Sequence, residues 1–169
     1  GKTNTQLGVP IVLSSKVNFS GDLSIARNTV EEVYAQVIKD LTEAITKLPS
    51  DNSYYADIYT AKALLARVYL QKGDYPNART MANDVITNSG KSLVTNFEAA
   101  FNTGENTSED LFAVQITTQS GTNDLNTFYA DDVYGGRGGD IAIRDEYVDL
   151  FETSDVRSDF FHYNVYGDR

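Results

Sequence analysis

The sequence predicts a mainly α fold, in which a helical-hairpin repeat is followed by a loop-rich region with short strands and helices. Three observations carry this prediction. Apolar residues recur at helical spacing through three stretches between Val30 and Ser89. Gly73-Asp74 separates the last two of these with complete turn and cap chemistry, and after Gly90 the period of 3.6 gives way to one period-two run and a cluster of glycines.

Residues 1 to 28 carry Gly8, Pro10 and Gly21 among short apolar runs such as Ile11-Val12-Leu13, which predicts loop with one extended piece. From Val30 to Leu48 the positions Val33, Tyr34, Val37, Leu41, Ala44, Ile45 and Leu48 keep one helix face, and Thr29 with Glu32 forms a capping box at its start. Pro49 ends that helix and Asp51-Asn52-Ser53 is turn chemistry. The next helix starts at Ala56 or at Thr60 and runs to Lys72, with Ala61, Leu64, Leu65 and Val68 at i, i+3, i+4 and i+7. Gly73 ends it and Asp74 caps a third helix over Tyr75–Ser89, where Pro76 falls in the first turn and gives up only an amide without an intrahelical partner. Ala78, Met81, Ala82, Val85 and Ile86 repeat the apolar spacing, so two stripes must face each other, with Leu64, Leu65, Val68, Met81, Val85 and Ile86 expected to be buried.

After Gly90, residues 91–169 change character. Phe97-Glu98-Ala99-Ala100-Phe101 is at most a short helix. Phe112, Val114 and Ile116 alternate with Ala113, Gln115 and Thr117, which predicts a half-buried strand. Five glycines between residues 118 and 140 predict a long loop, and loops of that length are usually functional or disordered. Tyr147, Leu150 and Phe151 suggest a short helix over Arg144–Glu152, and Phe160-Phe161-His162-Tyr163 is read as extended.

Composition narrows the function classes. At 169 residues and 41% apolar content, the chain is of one domain's length and can bury a core without disulfides or metal. A formal charge of −10 and a pI near 4.4 argue against a phosphate-binding surface, so nucleic acid is not an expected partner. Zero cysteines remove thiol catalysis and thiolate metal sites, and one histidine removes histidine clusters and relays within this chain. The apolar runs are all far shorter than the ~20 residues of a membrane span.

A hairpin of this kind is the unit of tetratricopeptide arrays, whose period is about 34 residues, and Gly73-Asp74-Tyr75 followed by Ala78 is the turn of that repeat. Leu64-Leu65-Ala66-Arg67-Val68-Tyr69-Leu70 before it resembles the central repeat of the SusD/RagB family of glycan-capturing outer-membrane lipoproteins. Arg27 to Tyr34, then Asp40-Leu41-Thr42-Glu43-Ala44 up to Leu48-Pro49, resemble that family's preceding helix. Ser108 to Ile116 resembles its strand after the repeat, and Phe151-Glu152 with Asp155-Val156-Arg157 its short helix and Asp-x-Arg signature. The resemblance spans about Gly8 to Arg157 and implies a SusD-like fold: a tetratricopeptide-like repeat over residues 29–90, flanked by residues 1–28 and 91–169 of the same domain. It further implies non-catalytic capture of oligosaccharides at the cell surface, delivery to a SusC-like TonB-dependent transporter, and an outer-membrane location. The family is held there by a lipidated N-terminal cysteine that this chain does not contain, so a fragment from the middle of a longer protein is expected.

The glycines of Gly136-Arg137-Gly138-Gly139 match neither a dinucleotide fingerprint nor a P-loop. Asp131-Asp132 is an adjacent pair among 24 acidic residues, most simply a solvated charge rather than a glycosidase pair, and no EF-hand pattern is present. His162 reads as packing or a surface hydrogen bond. Tyr34 and Tyr69 lie on helices and read as core or inter-repeat packing. Phe128, Tyr129 and Tyr134 instead stand in the glycine-rich stretch beside Asp131, Asp132 and Arg137, with no periodic reason to be buried. Aromatic rings beneath the C–H faces of a sugar, surrounded by carboxylates and a guanidinium, are what an oligosaccharide site needs. These six residues are the candidate ligand-binding set, with no cofactor expected. A plain tetratricopeptide scaffold that binds a peptide in its concave face is the rival reading, and a glycan lyase or hydrolase ranks third.

Overall fold

The computed structural model describes residues 3–14, 24–101, 104–114, 119, 124–137, 141 and 143–161. It divides into two units, Gly1–Leu93 with Ser108–Ala113, and Val94–Thr107 with Val114–Arg169.

The first unit is built on three helices, α1 (Val30–Lys47), α2 (Ile58–Lys72) and α3 (Tyr75–Asn88). The caps that the sequence predicts set their ends. Thr29 Oγ1 accepts the Glu32 amide at 3.2 Å while the Thr29 amide donates to Glu32 at 2.8 Å, so α1 starts with both halves of a capping box. The Thr29 amide, together with the Thr29 hydroxyl that donates to the same carboxylate at 3.0 Å, holds the Glu32 carboxyl below its usual range. Gly73 sits in the left-handed region at φ 83°, where a side chain would be strained, and its amide with that of Asp74 closes α2 onto Leu70 and Tyr69. Asp74 then caps α3 through the Asn77 amide.

The start of α2 is earlier than Thr60. Asp57 accepts the Thr60 amide at 2.7 Å and receives no Glu or Gln in return; the Thr60 hydroxyl takes that place, and the helix begins at Ile58.

The buried side chains of α2 and α3 are Ala61, Leu65, Ala78 and Val85. Alanine on both helices lets the two backbones come close, and Leu65, 3% exposed, fills the space so created. Two ion pairs fasten this arrangement: Lys62 on α2 to Asp84 on α3 at 2.7 Å, and Lys72 on α2 to Glu31 on α1 at 2.6 Å. Each holds its carboxyl below the usual range, the lysine hydrogen bond being the main cause.

The expected burial of the whole stripe is not met. Leu64 is half exposed and Ile86 three-quarters exposed, while Val68 and Met81 are partly covered. A stripe wider than the contact leaves its margins on the surface, and these two residues are on the margin.

The N-terminal segment is not free loop. Residues 6–9 run antiparallel to 28–30 through Gly8 N to Asn28 O, Asn28 N to Val9 O and Val30 N to Gln6 O, and the Arg27 guanidinium donates to the carbonyls of Leu7 and Gly8 at 2.8 and 2.6 Å. The segment is thereby tied to the first turn of α1. Residues 108–113 return to this unit: Ser92 and Ser108 exchange two bonds, and Thr60 Oγ1 donates to the Leu111 carbonyl at 3.0 Å.

Those isolated contacts replace the strand expected over residues 112–117. Residues 112–114 are irregular, with Phe112 and Val114 exposed, and residues 115–117 lie outside the described ones. An alternating pattern needs a neighbouring ladder, and among the described residues none lies alongside.

The second unit consists of short elements: 3-10 turns at Glu98–Ala100, Asp132–Tyr134 and Val156–Phe160, with α4 (Asp124–Tyr129) and α5 (Asp145–Val148). The short helix expected within 144–152 is therefore present as a single turn. Phe160 closes a 3-10 turn instead of being extended, and His162 and Tyr163 lie outside the described residues. Two aromatic trios organise this unit. Phe97, Phe101 and Phe160 meet edge to face at 4.9–5.9 Å between centroids, and Tyr147, Phe151 and Phe161 meet at 5.5–5.7 Å.

Leu65→Ala is expected to cost about 2–5 kcal/mol in chemical denaturation, because the rigid alanine seam around it cannot collapse into the cavity. A loss below ~0.5 kcal/mol would place Leu65 on a surface and contradict the packing described.

Candidate functional site

The stretch read as one long loop contains the six-residue helix α4 and a 3-10 turn, and the six candidate residues lie on them. Phe128 and Tyr129 are the last two residues of α4, Asp131 caps the turn, Asp132 and Tyr134 are within it, and Arg137 follows. The chain folds back tightly: Tyr134 N and Gly136 N both donate to Asp131 O at 3.0 Å, Arg137 N donates to Thr127 O at 2.9 Å, and Asn126 Nδ2 reaches Tyr134 O at 3.4 Å. Arg137 is thereby returned to α4, where its guanidinium lies 5.8 Å from the centre of the Phe128 ring.

Gly136 makes that return possible. A Cβ built there would stand 1.9 Å from the Ala130 carbonyl oxygen, well inside any contact distance, so this backbone path tolerates no side chain.

The result is a set of outward-facing groups on a hydrogen-bonded turn. Tyr129 and Tyr134 are 60% and 73% exposed, and Phe128 is 39% exposed beneath the guanidinium. Asp131 has a local structural task, accepting the Val133 amide at 3.2 Å. Its carboxyl also shares a hydrogen bond with that of Asp132, which holds Asp131 below the ordinary carboxylate range and pushes Asp132 above it. The two carboxyls therefore stand together at the tip of the turn. What it can do chemically is present two ring faces, an acceptor pair and a cation to a polyhydroxylated ligand.

Of the two residues that position the site, Asn126 was not picked out from the sequence, and Gly136 was noted there only as one glycine of a loop. The doubled glycine Gly135-Gly136 was their one visible signal. Among the described residues there is no group of three or more His, Cys, Asp or Glu able to hold a metal, and no helix long and apolar enough to cross a membrane.

Asp155 and Arg157, the Asp-x-Arg pair, form a doubly bonded contact in which Nε and Nη2 of the arginine donate to the carboxylate. Asp155 also accepts the Arg157 amide at 3.0 Å and starts the last 3-10 turn. Arg157 lies 5.4 Å from the Phe151 ring centre, so the pair is tied to one of the aromatic trios. Its role is structural.

A helical hairpin with a left-handed glycine turn and an alanine seam is of the tetratricopeptide type, as the sequence predicts. The family described as SusD-like, starch-binding associating with outer membrane, matches residues 3–70. A SusD-like protein of Bacteroides ovatus is 33% identical over 117 residues, covering 62% of this chain and 21% of the relative. Among solved structures, a SusD superfamily protein of Bacteroides thetaiotaomicron is 36% identical with a TM-score of 0.61, covering 69% of this chain and 26% of that one. A SusD-like protein of Bacteroides fragilis is 25% identical with a TM-score of 0.68 over 89% of this chain and 32% of that one. In sequence and fold the chain is similar to SusD-like proteins. It spans about a fifth to a third of the length of these relatives.

The Arg157 hydrogen bonds hold the Asp155 carboxyl at about 2. A depressed folded-state value means that the contribution is complete above the unfolded value of about 3.9 and is lost as pH falls from there. Carboxyl carbon-13 titration should find Asp155 with a midpoint near 2, and Arg157→Gln should return it toward ~3.9. A midpoint near 4 in the unsubstituted protein would show that the pair does not form in solution.

Proposed function

We propose that this chain is part of a protein that captures oligosaccharides at the outer face of the bacterial outer membrane and delivers them to a SusC-like TonB-dependent transporter, without catalysis of its own. In the longer protein, a lipid anchor outside these residues would hold it there. The observation that carries the reading is the turn over residues 128–137, on which two exposed tyrosine rings, a carboxyl pair and a guanidinium packed over Phe128 project from a backbone fixed by its own hydrogen bonds. Such an arrangement costs little further ordering when a ligand stacks on it. The family's description as starch-binding and associating with the outer membrane supports the ligand class and the location. A scaffold of repeated hairpins fits less well, because the next helix described after α3, α4, has only six residues.

The test is calorimetry on a polypeptide of the relatives' length against a panel of plant, host and bacterial glycans. A stacked ring is worth on the order of 1 kcal/mol, so Tyr134→Ala should weaken binding several-fold and leave the melting temperature unchanged. Unchanged affinity for a glycan that the wild type binds would remove this turn from the site.

For the transporter, the proposed contact is the exposed surface of the helical repeat. Lys39 and Lys47 are exposed and suit charge reversal, whereas Lys62 does not, since its side chain is 16% exposed and bonded to Asp84. Lys39→Glu with Lys47→Glu should reduce co-purification with the transporter. Retention at wild-type level would move the interface off α1.

A further inference from the structure

Between α1 and α2 the chain turns at Asp51-Asn52-Ser53 and then carries two tyrosines in succession, Tyr54 and Tyr55. Successive side chains of an extended backbone point to opposite sides. These two meet instead, with ring centres 4.7 Å apart and planes inclined at 42°. The turn brings them together. Ser53 sits in the left-handed region at φ 57°, which a residue with a Cβ keeps only where its surroundings hold it. Asp51 Oδ1 accepts the Ser53 amide at 3.1 Å, the Tyr55 amide donates to Asn52 O at 3.0 Å, and Asn52 Nδ2 donates to Ala56 O at 2.9 Å. The Ile58 amide closes the loop onto Pro49 O at 3.0 Å.

Neither ring enters the core, since Tyr54 is 48% and Tyr55 61% exposed. Hydrogen bonding to the Tyr54 hydroxyl pushes the Tyr55 phenol above its ordinary value, so the polar ends of the two rings lie side by side. The pair is a shallow apolar plate with hydroxyls at its edge, carried on a backbone that is already ordered. A pyranose matches both parts: its C–H face stacks on a ring, and its hydroxyls bond to phenol oxygens that donate and accept. A protein partner fits less well. Two part-exposed rings offer at most a few hundred Å², against about 800 Å² per partner in a stable interface.

We propose that Tyr54 and Tyr55 form a second sugar-stacking subsite, carried by the first unit, which holds a pyranose of an oligosaccharide against the two inclined rings. The proposal rests on the oligosaccharide reading above, but it uses none of the six residues of the turn over 128–137. Because the rings are inclined, a sugar lying flat on one brings its edge to the other. Ring faces therefore supply most of the contact and the hydroxyls a smaller part.

The experiment is calorimetry on a polypeptide of the relatives' length, with maltoheptaose, cellohexaose, xylohexaose and mannohexaose as probes. Tyr54→Ala with Tyr55→Ala should weaken binding of at least one probe about tenfold, and should do so again when Tyr134→Ala is also present, whereas Tyr54→Phe with Tyr55→Phe should keep affinity within about threefold. In the unsubstituted protein the same probe should protect Tyr54 and Tyr55 from acetylation by N-acetylimidazole, read by peptide mass spectrometry, a measurement that does not depend on how the variants fold. Unchanged affinity in the alanine variant for a probe that the wild type binds, or acetylation that this probe leaves unaltered, would overturn the inference while leaving the turn over 128–137 in place. Weakening by Tyr54→Ala with Tyr55→Ala but not by Tyr134→Ala would uphold the inference and remove that turn from the site. Protection by the transporter and by no probe would make the pair a protein contact and overturn the inference. A wild type that binds none of the probes would overturn it together with the reading on which it rests.

Discussion

Ala63 and Ala66 on α2 and Ala78 and Ala82 on α3 line the groove where those two helices meet, and small residues there allow the backbones to approach, on which most of what holds the first unit together depends. Leu65 and Val85 are buried because the seam is narrow. Lys62 reaches Asp84 across the same seam, and the pair is partly shielded from solvent, where such a contact is worth more than on an open surface. The two-residue turn at Gly73-Asp74 would be too short for helices held further apart. α1 then joins through Lys72 and Glu31, and the chain before α1 joins through Arg27.

The second unit has no comparable seam among its described residues, and its elements are short for that reason. Helices of four to six residues lack the length to be stable on their own propensity. They are held by edge-to-face ring contacts and by side chains that cap one or two amides each, as Asp131 and Asp155 do. Aromatic trios of this kind fix a few points firmly and leave the intervening backbone to local turns. Surface rings such as Tyr134 can therefore point outward without loss to the packing.

Which parts could be read from the sequence follows from how local their causes are. Thr29 with Glu32, Gly73, Asp74 and Pro76 act within three or four residues of themselves, and the helix ends they predict are found within two residues. The start at Ile58 differs because Asp57 pairs with a threonine hydroxyl instead of the usual Glu or Gln. Leu64 and Ile86 obey the helical period yet stay exposed, since periodicity defines a stripe but the partner's width decides how much of it is covered. The pairing of residues 6–9 with 28–30 and the return of 108–113 depend on contacts far apart in sequence, which no local pattern encodes. For the candidate site the chemical types were legible as rings and charges clear of any core period. Their arrangement was not, because it depends on α4, a helix flanked by glycines and polar residues that hide it.

Gly136 separates two properties that a binding turn usually couples. The position whose backbone lies against the Ala130 carbonyl decides whether the turn exists at all, while positions 129, 134 and 137 decide what it displays. The exposed side chains at 129 and 134 can be exchanged for others of different shape or charge without touching the path of the chain. On the proposed function, one fixed glycine beside a displayed rim lets a single turn carry different ligand preferences.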